Sequence, residues 1–201
     1  MNFAIVIQDA DRKDLFQHGQ QGLLRLLSLG EKSERVYFNL GLIEMGNKNT
    51  KEAEKWFRQA IEVRSDFRSA LFNLALLLSE NNSPLEALIY LKRLVKLNPD
   101  HIKGLVLMGD ILINNAKDLN GAEQCYERIL QLDSKNIQAK HNLCVVYVEQ
   151  GYLDKAEQCL VEAAQMAPHE DYINRHLKIV RLRIVKLKKI KSTSKESFST
   201  K

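Results

Sequence analysis

The feature of the sequence that most constrains its fold is a repeat with a period of 34 or 35 residues. Four five-residue blocks each end in a large side chain followed by a small one, and they are Tyr37–Gly41, Leu71–Ala75, Leu105–Gly109 and Lys140–Cys144. An alanine follows the small residue after twelve positions in the first, second and fourth repeats, and after thirteen positions in the third repeat. One extra residue in segment 114–120 explains both the longer gap and the longer offset. Self-similarity at a fixed period indicates stacked supersecondary units.

Each unit is predicted to contain two α-helices joined by a short polar loop, because apolar residues recur at spacings of three and four. The small residue on the first helix and the alanine on the second let the two backbones approach closely. A bulky side chain four residues after each alanine fills the remaining gap, and these residues are Phe57, Leu91, Tyr126 and Leu160. Capping-box signals mark two helix starts, Ser83 with Glu86 and Asn49 with Glu52.

We therefore predict an all-α chain, an α-solenoid of antiparallel helix pairs that winds into a superhelix and ends in a capping helix. Full repeats are placed at 34–67, 68–101, 102–136 and 137–170, after a partial, degenerate repeat at 1–33 and before a basic capping helix at 171–190 and a disordered tail at 191–201. The pair Phe3-Ala4 fits the repeat only if Met1 lies inside a helix. We expect, on that ground, that the chain is part of a longer protein.

Composition and charge exclude several classes of protein. Only three prolines and nine glycines argue against a many-stranded β-sandwich or barrel. No apolar run approaches the roughly 18–20 residues of a membrane span. Residues 177–201 carry nine Lys or Arg and one acid, whereas residues 1–176 have a net charge of −3. Because the main fold is mildly acidic, we expect no nucleic-acid partner.

The basic tail alternates Lys or Arg with aliphatic residues from Lys178 to Lys191, and it has two interpretations. It could bind an anionic membrane surface or an acidic partner. The alternative, which we favour from the sequence, is a capping helix whose inner side packs while its lysines are solvated.

No residues with a catalytic, metal-binding or cofactor-binding pattern are found. The chain has no Gly-x-Gly-x-x-Gly, P-loop or His-Glu-x-x-His motif. The five histidines are scattered, which favours helix-surface or loop positions. The three cysteines make no disulfide framework, and buried small apolar residues are the favoured interpretation of all three. The sequon Asn81-Asn82-Ser83 is followed at once by Pro84, which favours a chance occurrence.

The repeats resemble the tetratricopeptide-repeat family, with its aromatic-x-x-Leu-Gly, Ala-x-x-x-Phe and Pro pattern. In that family the first helix of each unit lines a concave surface that holds another polypeptide. The resemblance implies a peptide-binding groove with these candidate residues: Arg35, Phe38, Asn39, Phe72, Asn73, Lys103, Asp110, Gln138, His141 and Asn142. Phe38 and Phe72 are either apolar anchors of this groove or core residues.

Asn39, Asn73 and Asn142 share the sixth position of their repeats, and Leu107 interrupts the series. An amide carries both a donor and an acceptor, so such a ladder can pair with the backbone of an extended peptide. It resembles the ladder of the O-linked N-acetylglucosamine transferases. The alternative is that each amide satisfies a neighbouring helix within the solenoid.

Several strings carry a closer resemblance, to the carboxyl-terminal repeats of the transmembrane and tetratricopeptide-repeat-containing O-mannosyltransferases. They are Asp66–Leu78, Pro99–Leu105, Lys140–Tyr147, Ala167–Ile173 and Arg175–Val180. That family is implied to use dolichyl-phosphate-mannose in the endoplasmic reticulum and to mannosylate cadherin-type domains. Its chemistry belongs to an amino-terminal membrane region that this chain lacks, so no catalytic residue is carried over.

The resemblance thus implies the lumenal repeat part of a membrane-anchored transferase, which would recruit or orient the acceptor protein. The alternative function is a free-standing adaptor with no attached enzyme.

Overall fold

The computed structural model describes residues 13–198, with side chains described for 17–190, and all its regular elements are helical. The helices are α1 (Lys13–Ser28), α2 (Glu34–Gly46), α3 (Thr50–Val63), α4 (Arg68–Glu80), α5 (Pro84–Leu97), α6 (Ile102–Ile111), α7 (Leu119–Leu132), α8 (Ile137–Glu149), α9 (Leu153–Met166) and α10 (Asp171–Phe198). Short turns join helices that pack on each other, as α2 does on α3, α4 on α5 and α8 on α9. The predicted fold class, a series of antiparallel helix pairs, is confirmed.

The chain divides into two compact units, residues 1–107 and 108–201, here called the amino-terminal and carboxyl-terminal units. Met1, Phe3 and Ala4 lie outside the described residues. That Met1 lies inside a helix therefore stays a prediction. The described chain begins with α1, which packs against α2. There Gln20 donates to the buried Glu44 carboxylate at 2.5 Å, and Asn49 donates to its other oxygen at 2.7 Å.

The core of each repeat is built on a match between a small and a bulky residue. Gly41 faces Phe57, and a Cβ added at Gly41 would lie 2.5 Å from that ring. Gly109 faces Tyr126 in the same way, at 2.7 Å. Where the small position holds a larger residue, Ala75 or Cys144, the bulky position holds an aliphatic one, Leu91 or Leu160, and all four are buried. Glycine is therefore required where the opposing side chain is aromatic.

The extra residue of the third repeat is accommodated in a widened helical turn. Leu112–Ala116 forms a π-helix directly after α6, and the backbone N–H of Asp118 donates to Leu112 O at 2.9 Å. A π-turn holds one residue more than an α-turn, so the helix on either side keeps its packing face. The insertion lies at the place that the sequence indicates.

The turn between the two helices of every repeat contains one residue in the left-handed region. These residues are Lys48, Asn82, Lys117 and Gly151, with φ of 63°, 60°, 56° and 82°. They are spaced 34 or 35 residues apart, and each follows the end of a first helix. A left-handed residue at this point lets the chain reverse and satisfies carbonyls at the helix end.

Both predicted capping boxes are wrong in detail. Ser83 and Asn49 occupy the N-cap positions of α5 and α3, but neither side chain makes a capping hydrogen bond. Asn49 bonds Glu44 instead, and Glu86 accepts from Arg58 of the preceding repeat at 2.7 Å. Arg58 also bonds Glu54 and Tyr90, so it links α3 to α5. A tertiary partner has thus taken Glu86 away from its cap, whereas Asn49 bonds a glutamate five residues earlier in the chain.

Helix α10 packs on α9 through one stripe of buried side chains, Ile173, Leu177, Val180 and Ile184. It continues to Phe198, beyond the predicted end at 190. The structure therefore differs from the predicted disorder over 191–198, and residues 199–201 lie outside the described range. No helix in the described part of the chain is long and apolar enough to cross a membrane.

Gly41→Ala should destabilise the fold by about 1–3 kcal/mol, because the new methyl group overlaps the fully buried Phe57 ring. Urea unfolding followed by circular dichroism measures this. Gly22→Ala is the matched control, since nothing lies within 4 Å of a Cβ at that position in α1. It should leave stability unchanged or raise it by up to about 1 kcal/mol through helix propensity. Equal losses in both variants would contradict the packing argument.

Candidate peptide-binding surface

The first helices of the amino-terminal unit carry two asparagines whose amides are only half used. Asn39 Nδ2 donates to the Arg35 carbonyl at 2.9 Å, and Asn73 Nδ2 donates to the Ser69 carbonyl at 2.8 Å. Both bonds reach four residues back along the same helix. The Oδ1 atom of Asn39 is buried and accepts no hydrogen bond within the described residues. Each amide keeps one donor hydrogen for another group, whereas the buried oxygen of Asn39 is out of reach of a ligand.

The two candidate phenylalanines have different environments. Phe38 is only 6% exposed and packs against Phe57 and Phe67, with ring centroids 5.8 and 5.2 Å away. The hypothesis that Phe38 anchors a ligand is therefore wrong, because its ring is consumed by the core. Phe72 is half-buried, 5.2 Å from the His101 ring, and keeps some accessible surface.

The charged and polar candidates at the second repeat position are all exposed, namely Arg35, Lys103 and Gln138. His101, which was expected to be a surface residue, has a structural role at the start of α6. Its Nδ1 accepts from the Gly104 N–H at 2.9 Å. Burial lowers the pKa of His101, which favours the neutral ring that this bond requires.

In the carboxyl-terminal unit the remaining candidates form a connected polar network. Asp110 Oδ1 accepts from Tyr126 OH at 2.6 Å and from Asn142 Nδ2 at 3.3 Å. Asn142 Oδ1 lies 3.4 Å from His141 Nδ1, and His141 Nε2 lies 2.8 Å from His176 Nδ1. We assign the hydrogens so that His176 donates to His141, His141 donates to the Asn142 oxygen, and the Asn142 nitrogen donates to Asp110. Only this order gives both amide atoms of Asn142 a partner.

This network decides the two interpretations of Asn142 in favour of an internal partner. The amide bonds Asp110 of α6 and His141 beside it in α8. Burial raises the pKa of Asp110, although the Tyr126 bond opposes that shift. Burial lowers the pKa of His141; the bond to Asn142 opposes this decrease, and the nearby His176 adds to it. The network is therefore most stable with a neutral His141.

Sequence reasoning missed His176 and Tyr172 as parts of this surface. His141 is 9% exposed, with the Tyr172 ring edge-on at 4.8 Å and the His176 ring also at 4.8 Å. A signal was present, because His141 and His176 are 35 residues apart, one repeat period. Equivalent positions on successive helices of a solenoid are neighbours, so the spacing predicts the contact.

The interpretation of the cysteines needs a correction. Cys144 and Cys159 form a disulfide between α8 and α9, with a Cα–Cα distance of 5.4 Å. Cys125 is a buried free thiol, as expected, and burial raises its pKa to about 11. The two bonded cysteines face each other because they occupy the small position of α8 and the residue before the bulky position of α9. Within the described residues no group of three or more His, Cys, Asp or Glu is placed to hold a metal ion.

The chain matches family models of the tetratricopeptide repeat at residues 34–67, 69–101 and 114–175. The matched residues include helices α2 to α5 and α7 to α9, and α6 lies between two of the matches. The chain belongs to the tetratricopeptide-repeat family. The fold agrees with the crystal structure of YrrB, a tetratricopeptide-repeat protein with an unusual peptide-binding site, at a TM-score of 0.75 over 88% of this chain and 89% of that one. Their sequences are 22% identical, so this likeness concerns the fold alone.

The curated relatives are longer proteins of one kind. The chain is 51% identical over 183 residues to the human protein O-mannosyl-transferase TMTC3, covering 91% of this chain. It is 49% identical over 174 residues to the Drosophila melanogaster protein O-mannosyl-transferase Tmtc3, covering 87% of this chain. The chain spans about a fifth of the length of these relatives, 20% and 19% respectively. It is a tetratricopeptide-repeat region homologous to part of these O-mannosyltransferases.

The lowered pKa of His141 predicts a loss of stability in mild acid. An unfolded histidine takes up a proton near pH 6.5, whereas the folded, buried ring resists it until lower pH. Unfolding free energy should therefore fall as pH decreases from about 7.5 towards 5.5. His141→Gln should reduce this fall, measured by urea unfolding at both pH values.

His101 has a lowered pKa and contributes in the same direction. The control His101→Asn keeps a capping acceptor at the start of α6. It should remove only the part of the pH dependence that comes from His101. An unchanged pH dependence in the variant with both substitutions would contradict the assignment to these two rings.

Proposed function

We propose that this chain is the acceptor-recognising repeat region of a protein O-mannosyltransferase, located on the lumenal side of the endoplasmic reticulum. The observation that carries the proposal is the identity of about half the residues, over nine-tenths of the chain, with O-mannosyltransferases from human and fly. The role of the repeats would be to hold an extended segment of the acceptor, a cadherin-type protein, near a catalytic region outside this chain.

The half-used asparagines support such a role. Asn39 and Asn73 each offer one amide hydrogen on the first helices of successive repeats, and Asn73 also offers its carbonyl oxygen. A peptide backbone presents complementary N–H and C=O groups whatever its side chains are. Recognition through backbone groups therefore suits an enzyme region that must accept several sequences. The neighbouring Phe72 adds apolar contact beside Asn73, whereas Phe38 does not contribute.

The Cys144–Cys159 disulfide supports the lumenal location. Disulfides persist in the endoplasmic reticulum lumen and are rare in the reducing cytosol. This disulfide joins the two helices of the fourth repeat, whose interface is otherwise a small–bulky contact. A cytosolic adaptor would keep both thiols reduced, so the pairing state separates the two candidate locations.

Reducing the disulfide should lower the stability of the carboxyl-terminal unit. Closure of a loop across 15 residues contributes about 3 kcal/mol in the chain-entropy model. Urea unfolding with and without dithiothreitol measures the change. Cys125→Ala should respond to the reductant as the wild type does, whereas Cys144→Ala with Cys159→Ala should not respond. If the tryptic peptides of chain made in the endoplasmic reticulum show free thiols at these positions, the lumenal assignment is lost.

The asparagines give the test of acceptor recognition. Surface plasmon resonance with an immobilised cadherin ectodomain measures binding of the chain. Asn39→Ala with Asn73→Ala should weaken binding about tenfold or more, since a lost hydrogen bond costs about 1 kcal/mol at each site. Asn174→Ala, an exposed helical asparagine on α10, is the matched control and should bind as the wild type does.

Equal binding by the double variant and the wild type would show that the asparagines do not hold the acceptor. Absence of binding by the wild type itself would instead contradict the cadherin-type partner. Circular dichroism of each variant checks that lost binding does not reflect unfolding.

A further inference from the structure

Helix α10 has a second stripe of side chains, opposite the one that packs on α9. The buried stripe consists of Ile173, Leu177, Val180 and Ile184. On the other side of the helix lie Arg175, Lys178, Ile179, Leu182, Val185 and Lys186, of which Arg175, Ile179, Leu182 and Lys186 follow the four buried residues by two positions. A shift of two residues turns a helix by about 200°, so these four side chains lie opposite the buried stripe, and Lys178 and Val185 border them. The six residues are called here the outer stripe.

The three aliphatic residues of the outer stripe are exposed. Ile179, Leu182 and Val185 are 48%, 63% and 51% exposed. They succeed one another over about two helical turns, so they form one continuous patch. Isolated exposed aliphatic residues are common in soluble proteins, whereas an apolar row on one helix face indicates an interaction surface.

The charge around this patch has a single sign. After Asp171 the sequence contains no acidic residue until Glu196, and seven Lys or Arg lie between 175 and 189. Arg181 pairs with Glu157 of α9 at 2.7 Å, which orients that guanidinium towards the protein. Arg175, Lys178 and Lys186 are exposed and belong to the outer stripe itself. The stripe is therefore an apolar row flanked by cations.

We propose that the outer stripe of α10 binds the surface of an anionic lipid bilayer, with the helix lying in the plane of the membrane. A bilayer supplies an acyl boundary for the three aliphatic side chains and anionic headgroups for the cations beside them. The long Lys and Arg stems let the charges reach the headgroups while the apolar row is buried. An acidic peptide fits less well, because the groove beside Leu182 and Val185 is lined by residues of α10 alone, and no second helix there could hold an extended chain.

This inference is independent of the proposed function, since it needs only α10 and a membrane. If both hold, the contact would fix the repeats against the bilayer of the enzyme that carries them. The buried stripe then holds α10 to the repeats, and the outer stripe holds it to the lipid.

Flotation of the chain with lipid vesicles tests the proposal. Vesicles of phosphatidylcholine containing about a third phosphatidylserine should capture the chain, and vesicles of phosphatidylcholine alone should capture at least tenfold less. Added salt should weaken the capture, because screening reduces the attraction between Lys or Arg and the headgroups.

Two variants distinguish binding through the outer stripe from non-specific binding through other exposed aliphatic residues. Leu182→Ser with Val185→Ser should reduce capture by anionic vesicles at least tenfold. Leu85→Ser with Ile89→Ser is the matched control, because these α5 residues are 59% and 65% exposed and lie four apart on another helix. The control should float as the wild type does.

Three results would overturn the proposal. They are equal capture by neutral and anionic vesicles, an equal loss in the control variant, and failure of the folded wild type to float at all. Binding of the chain to polyglutamate without binding to vesicles would assign the stripe to an acidic protein partner instead.

Discussion

The close approach of two helix backbones within each repeat is the constraint on which the rest of the structure depends. It requires a small residue on the first helix, and the bulky residue of the second helix sets how small. Gly41 and Gly109 oppose aromatic rings, while Ala75 and Cys144 occupy repeats with a leucine at the bulky position. The two positions thus vary together so that the filled volume stays nearly constant, as a close-packed interior demands. The contact between the small and the bulky residue fixes the rotation of the first helix. It thereby determines which other positions of that helix face the core and which are accessible.

This constraint explains why the sequence predicts the fold well. The period, the small–bulky match and the site of the extra residue are all visible in residue size and spacing. The π-turn at Leu112–Ala116 lies where the spacing places an insertion, because only a loop or a widened turn can absorb one residue without turning the packing face. The left-handed turn residues are less visible. Lys48 and Lys117 have no local preference for positive φ, and only their equivalence to Gly151 one or more periods away marks them.

The candidate surface was harder to predict, because hydrogen bonds depend on side-chain partners from several helices. Position in the repeat identified Asn39, Asn73 and Asn142, but it could not show that the first two bond their own helix while the third bonds Asp110. The same limit applies to Phe38, whose two aromatic neighbours come from α3 and the turn after it. The capping box at Ser83 fails for this reason as well, since Glu86 finds a stronger partner in Arg58 than in the N-cap. The disulfide needed the three-dimensional pairing of α8 with α9.

The end of the solenoid obeys a different rule from its interior. Inside the solenoid, neighbouring helices restrict the faces of each helix, so residue choice there reports packing. Helix α10 packs along its buried stripe and also contacts His141 through Tyr172 and His176, whereas the exposed side chains of its outer stripe are not restricted by packing. A solvent-exposed helix face usually carries charged residues of both signs, because these are the residues best solvated by water. The outer stripe of α10 instead combines three exposed aliphatic residues with cations and no acid. Neither helix stability nor solubility requires that combination, and an anionic bilayer surface accounts for both of its components together.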